Sequence, residues 1–244
     1  MTAAPTLEVT DLRAGYAAGV DILSGVSLAA AAGAVTLVIG PNGAGKSTLL
    51  RAIFGLIPPV SGRVFLRGRE VTGSPPNLLK AAGVGYVTQE INTFPLLTVE
   101  ENLLMGAWVF RSDRPRLAGR LEQVYATFPV LKDRRRDRAG SLSGGQGRML
   151  AVARELMASP ALLLIDEPTV GLAPNLVAGV YDILAAAKSA TGAAILLVEQ
   201  NVEQALPLAE HVYLLNLGRV KAEGPGREFS NARVRALVQE CLLS

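Results

Sequence analysis

One stretch constrains this chain more than any other: an apolar run, Val35 to Ile39, enters a glycine-rich turn, Gly40-Pro41-Asn42-Gly43-Ala44-Gly45, and continues through Leu49, Leu50, Ile53 and Phe54. A short apolar run bounded by a turn reads as a buried parallel strand. Apolar residues three and four apart read as a helix packed on it. Strand, tight turn and helix in that order open an α/β sheet whose ligands bind beyond the carboxyl ends of its strands. Two further runs end in polar groups suited to that edge: Ala161 to Ile165 stops at Asp166-Glu167, and Ala193 to Val198 at Glu199-Gln200.

The turn with its flanks, Gly40 to Thr48, fits G-x-x-x-x-G-K-[ST] in the strand-to-helix context that this pattern requires. Glycine at 43 and 45 lets backbone N–H groups converge on phosphate oxygens, and the following helix aims the positive end of its dipole at them. Lys46 is expected to neutralise the β- and γ-phosphates of a bound nucleotide and Ser47 to bind Mg²⁺. The strand Leu162 to Ile165 delivers Asp166 as a second Mg²⁺ ligand and Glu167 as the group that polarises the attacking water. An acidic pair after a strand is by itself a helix cap. Beside a phosphate-binding turn the cap is no longer the favoured reading.

These two elements leave GTPases, small-molecule kinases and helicases open. The discriminating segment is Leu142-Ser143-Gly144-Gly145-Gln146, a helix and a turn upstream of Asp166. Here the chain resembles the ABC ATPases, whose signature is this pentapeptide. The helix expected from Arg148 to Met157 would aim its N-terminus at an anion. The resemblance implies that this anion is the γ-phosphate held by a second cassette, similar or identical, in a head-to-tail pair. Gly147 departs from the helix formers expected after the signature, at about 1 kcal/mol relative to Ala, and is expected to loosen the first turn.

The resemblance carries over position by position. Tyr16 matches the aromatic ring that stacks on adenine, and Gln89, after Val84 to Val87, the glutamine that reaches Mg²⁺ and the attacking water. Gln89 also opens the segment that touches the membrane subunits. Two positions depart: Gln200 stands where many cassettes carry a switch histidine, and Ala173 where an aspartate is usual. An amide can donate to the γ-phosphate but cannot become a cation. The lone histidine, His211, is read as structural.

Thr98 to Leu103, Phe128-Pro129, Arg138-Ala139-Gly140, Gly171 to Pro174 and Val198 to Asn201 together resemble the cassettes of branched-chain amino acid importers. That resemblance implies two permease subunits, an external solute-binding protein acting indirectly, and a cytoplasmic position on the inner face of the cell membrane. Related cassettes serve urea and short amides. The rivals from other classes are a soluble ABC protein acting on nucleic acid or ribosomes and a cassette that binds ATP without hydrolysing it.

The implied fold is α/β: a P-loop, RecA-like nucleotide-binding core with an antiparallel β-layer and an inserted helical subdomain, all in one domain over residues 1–244. Core and layer are expected at about 1–90 and 159–244. The insertion, about 91–158, is marked by Leu117, Leu121, Val124, Tyr125 and Phe128 at helical spacing. Leu7 to Leu12, Val26 to Leu28 and Arg63 to Leu66, the last after a Ser61-Gly62 turn, are expected as the β-layer.

Composition excludes some alternatives. Half of the 244 residues are hydrophobic, enough for a sizeable core, yet no apolar run approaches the roughly 20 residues of a membrane-spanning helix. Met1 to Pro5 shows no basic cluster before an apolar stretch, so no signal peptide is expected. Cys241 is the only cysteine, which excludes an intrachain disulfide. The net charge of +3 is spread along the chain, and the densest basic block, Lys132 to Arg138, has no aromatic residue to stack on bases. No nucleic-acid partner is expected.

Overall fold

The computed structural model describes residues 5–17 and 19–243; most of the N-terminal stretch read for a targeting signal lies outside the described residues. β1 (Leu7–Ala14) and β2 (Leu23–Ala30) pair antiparallel. Both bury alternating residues, as strands with one wet face do. β3 (Val35–Ile39) is buried at every position and feeds α1 (Lys46–Ile53) through the glycine-rich turn. β4 (Pro59–Leu66) and β5 (Arg69–Glu70) return to the first sheet, whose order is β2-β1-β4-β5.

The expected Ser61-Gly62 turn is instead part of β4. Its register against β1 slips between Thr10↔Arg63 and Arg13↔Ser61, an irregularity of the β-bulge type. Gly62 has φ 91°, and a Cβ there would lie 2.4 Å from the Asp11 carbonyl oxygen, so the bulge requires glycine.

α2 (Pro76–Ala81) leads into β6 (Val84–Val87). From β6 to the next strand the described chain is helical: α3 (Val99–Gly106), α4 (Arg114–Thr127), α5 (Pro129–Asp133) and α6 (Gly144–Leu156), with short 3-10 turns between. Thr98 and Glu101 form a reciprocal capping box on α3. Val124, Tyr125 and Phe128 are buried, with Leu117 and Leu121 packed beside them. Their cluster also contains Val35, Leu37 and Ile39, so the helices share a core with the sheet.

α6 starts at Gly144, four residues before the expected Arg148. Ser143 and Gln146 form a capping box that fixes the start. Gly147 N–H donates to the Ser143 carbonyl at 2.8 Å, so the first turn is closed rather than loosened.

β7 (Leu162–Asp166), α7 (Pro174–Thr191), β8 (Ala194–Val198), α8 (Val202–Ala205), β9 (His211–Asn216), β10 (Arg219–Pro225) and α9 (Asn231–Leu243) complete the order. α7 stops at Gly192, whose φ of 64° suits a helix C-terminus. The second sheet runs β10-β9-β3-β8-β7-β6, parallel except for the edge strand β10. β6, β7 and β8 are buried throughout, as in a sheet covered on both faces. The turns after β3, β6, β7 and β8 therefore share one edge of the sheet.

Candidate active site

At that edge a cleft of about 440 Å³ is lined by Tyr16, Ile22, Asn42, Gly43, Gly45, Lys46, Ser47, Thr48, Gln89, Glu167 and Gln200. Gly40 and Pro41 border an adjoining cavity with Asn42 and Gln200, and Ala44 is buried behind the turn. Gly43 and Gly45 have φ of 80° and 101°, a backbone that residues with a Cβ rarely adopt. Gly45 is the N-cap of α1 and no side chain caps that helix. The first-turn N–H groups are thus free for an anion.

Lys46 is 4% exposed and its ammonium donates to the carbonyls of Gly40 at 3.0 Å and Pro41 at 3.3 Å. It also lies 3.5 Å from Glu167 Oε1. Ser47 Oγ donates to Asp166 Oδ1 at 2.9 Å, and Tyr86 OH to Asp166 Oδ2 at 3.3 Å. Burial pushes the Asp166 carboxyl up from its ordinary value, opposed by the Ser47 hydrogen bond and reinforced by the charge of Glu167. Burial, then the charge of Asp166, pushes the Tyr86 phenol up as well, so it stays a proton donor. The hydroxyl of Ser47 and the carboxylate of Asp166 meet beside a cleft that Gln89 lines. Such hard oxygen donors, too few to enclose an ion, suit Mg²⁺ completed by phosphate and water.

Glu167 follows β7 with φ 42°, in the left-handed region. Its N–H donates to the Val198 carbonyl, which ties Glu167 to the end of β8. Gln200 Nε2 donates to Glu167 Oε1 at 2.7 Å. The amide that replaces a histidine is therefore in direct contact with the expected base. Ala173 is the N-cap of α7 and supplies no side-chain acceptor, which an aspartate would. Tyr16 is exposed, with Arg51 Nη1 donating to its hydroxyl at 2.9 Å.

Leu142, Ser143, Gly144, Gly145 and Gln146 line neither of these cavities. They sit at the start of α6, where a Cβ on Gly144 would touch Leu172 and one on Gly145 would touch Leu176. His211 opens β9 opposite Thr36, near the start of β3 and away from the cleft, its ring 4.8 Å from Tyr213.

Sequence reasoning missed three contributors. Arg148 gives its guanidinium to the carbonyls of Thr88 at 2.9 Å and Gln89 at 2.7 Å. Arg134, in the basic block, donates to Gln146 Oε1 at 2.7 Å. Glu199 binds the backbone of Gln200 and Asn201. Only the capping pattern Ser143-x-x-Gln146 could have signalled the early start of α6.

A phosphate-binding turn, an acidic pair at the end of a strand two places along the sheet and an amide on that pair define a P-loop nucleotide site. The chain belongs to the ABC transporter family, whose model matches residues 23–170. It is 40% identical to the "Probable branched-chain amino acid transport ATP-binding protein LivF" of Archaeoglobus fulgidus over 91% of this chain and 93% of that one. It is 38% identical to the high-affinity branched-chain amino acid transport ATP-binding protein BraG of Pseudomonas aeruginosa, over 90% and 94%. Its fold matches the ADP conformation of an ATP-binding cassette of an ABC transporter with a TM-score of 0.85, at 30% identity and over 99% of each chain.

Proposed function

We propose that the chain is the ATP-hydrolysing motor subunit of an importer for branched-chain amino acids, held against the inner face of the cell membrane by two permease subunits. The likeness to LivF and BraG over nine-tenths of the chain carries the solute class. The split of the nucleotide-contacting groups between the cleft and α6 supports a head-to-tail pair with a second, similar cassette. Ile91, Phe94 and Leu96, exposed in the segment that Gln89 opens, suit the permease contact.

In this reading Tyr16 stacks on adenine, and residues 40–48 wrap the phosphates with backbone N–H groups and the Lys46 ammonium. Ser47, Asp166 and Gln89 would hold Mg²⁺, which draws charge from the phosphate oxygens. Glu167 orients a water and takes its proton as the oxygen attacks the γ-phosphorus; the bond to the β-phosphate oxygen breaks and ADP leaves. Gln200 holds Glu167 in place. Residues 142–146 of each cassette close on the γ-phosphate of the other. ATP thereby glues the pair, the Gln89 segment passes closure to the permease, and hydrolysis reopens it.

The test is the assembled transporter in vesicles, with the external binding protein supplied and leucine, isoleucine, valine or urea as cargo. Glu167→Gln is expected to abolish phosphate release and uptake while ATP still binds. Residual hydrolysis at the wild-type rate overturns the assigned base, and ATP-driven uptake of urea without any of the amino acids overturns the solute class.

A further inference from the structure

Glu199 is a fully buried carboxylate that does not itself line the nucleotide cleft, yet both its oxygens serve the loops that form it. Oε1 accepts from Thr169 Oγ1 at 2.7 Å, two residues past Glu167. Oε2 accepts from the N–H groups of Gln200 at 2.9 Å and Asn201 at 3.2 Å. Its own N–H donates to Val38, next to the end of β3. Tyr181 OH closes the cluster by donating to the Asn201 carbonyl at 3.4 Å.

A buried carboxylate is costly unless its oxygens are filled by donors, and here the Thr169 hydroxyl and the Gln200 and Asn201 N–H groups fill them. On the neighbouring loop, the guanidinium of Arg148, 1% exposed on α6, holds the carbonyls of Thr88 and Gln89.

We propose that Glu199 is a positioning residue for hydrolysis: it fixes the backbone of Gln200 and the loop at Thr169, and so sets Gln200 against Glu167. This rests on the reading of Glu167 as the base. Deleting the carboxylate frees two backbone N–H groups and a hydroxyl, so Gln200 and Glu167 lose their shared register. The phosphate-binding turn does not depend on Glu199, and ATP affinity is spared.

The experiment measures kcat and KM for ATP, ATP binding and thermal melting on the assembled transporter. Glu199→Ala is expected to lower kcat at least tenfold with KM and ATP binding within about twofold. Glu199→Gln keeps the shape but exchanges one accepting oxygen for a donating NH2; with its amide oxygen on the Gln200 and Asn201 N–H groups and its NH2 turned to the Thr169 hydroxyl, it should lose less than Glu199→Ala. The proposal is overturned if both Glu199 variants keep the wild-type kcat. It is equally overturned if kcat, ATP binding and melting temperature fall in parallel. Wild-type turnover without amino acid uptake would sink the solute assignment and leave this one standing.

Discussion

Replacing Gln200 by Ala removes one defined contact, the 2.7 Å hydrogen bond from Nε2 to Glu167 Oε1. A hydrogen bond to a charged group contributes about 1.5–3 kcal/mol when shielded from water. Gln200 is exposed at the mouth of the cleft, which brings the figure down to about 1–2 kcal/mol. If that energy holds Glu167 in its reacting position, its loss slows turnover by about five- to thirtyfold, at 1.36 kcal/mol per tenfold. Lys46, 3.5 Å from the same oxygen, becomes the nearest remaining partner and draws the carboxylate toward the phosphate-binding turn. The lowered rate should therefore appear in kcat, with KM for ATP nearly unchanged. Steady-state phosphate release from the assembled transporter, with a parallel ATP-binding measurement, reads both. A kcat within twofold of wild type, or an unchanged kcat with a raised KM, would refute the reasoning, because Gln200 would then either be a bystander or contact only bound nucleotide.

Gly106→Ala drives a Cβ to 1.9 Å from the Arg154 carbonyl oxygen, so α3 must lift off α6; a loss of about 1–3 kcal/mol in stability is expected, and an unchanged melting temperature would show that the helices slide freely. Hydrogen bonds from the Thr98 backbone and hydroxyl hold the Glu101 carboxyl below its ordinary value. With the folded value depressed, its stabilisation is present above the unfolded carboxyl range, near 4.3, and fades as pH falls toward the folded value. Wild type should accordingly melt above Glu101→Gln at pH 7 and converge with it in acid; a gap that persists at pH 2 would contradict the linkage.

The nucleotide cleft was legible because β3, β6, β7 and β8 are buried on both faces: each reads as an unbroken apolar run that stops where a polar group must begin. The ends of those runs placed Gly40, Asp166, Glu167 and Gln200 at one edge before any coordinates, and the family resemblance added Gln89. Antiparallel pairing was harder, since Gly62 carries the mark of a turn, and only the partner strand at Asp11 shows that it serves a bulge. Two consecutive glycines concealed the start of α6, where capping outweighs propensity. The partners of Arg148 and Glu199 were not legible at all. They lie 60 and 30 residues away in sequence, at Thr88 and Thr169, and no local pattern encodes a meeting of that kind.

α6 is gripped along its whole length by guanidinium groups. Arg134 reaches its first turn at Gln146, Arg148 and Arg154 fix its flank to the carbonyls of Gln89 and Asn92, and Arg120 reaches its last carbonyls at Leu156 and Met157. A thirteen-residue helix is about 20 Å long. Clamped in this way it behaves as a stiff beam instead of a bending spring. A tilt of about 10° at one end would sweep the other by about 3.5 Å, more than the length of a hydrogen bond. In the proposed head-to-tail pair, leverage of that size would let a small push near Asn92 make or break contact at Ser143 in a single motion.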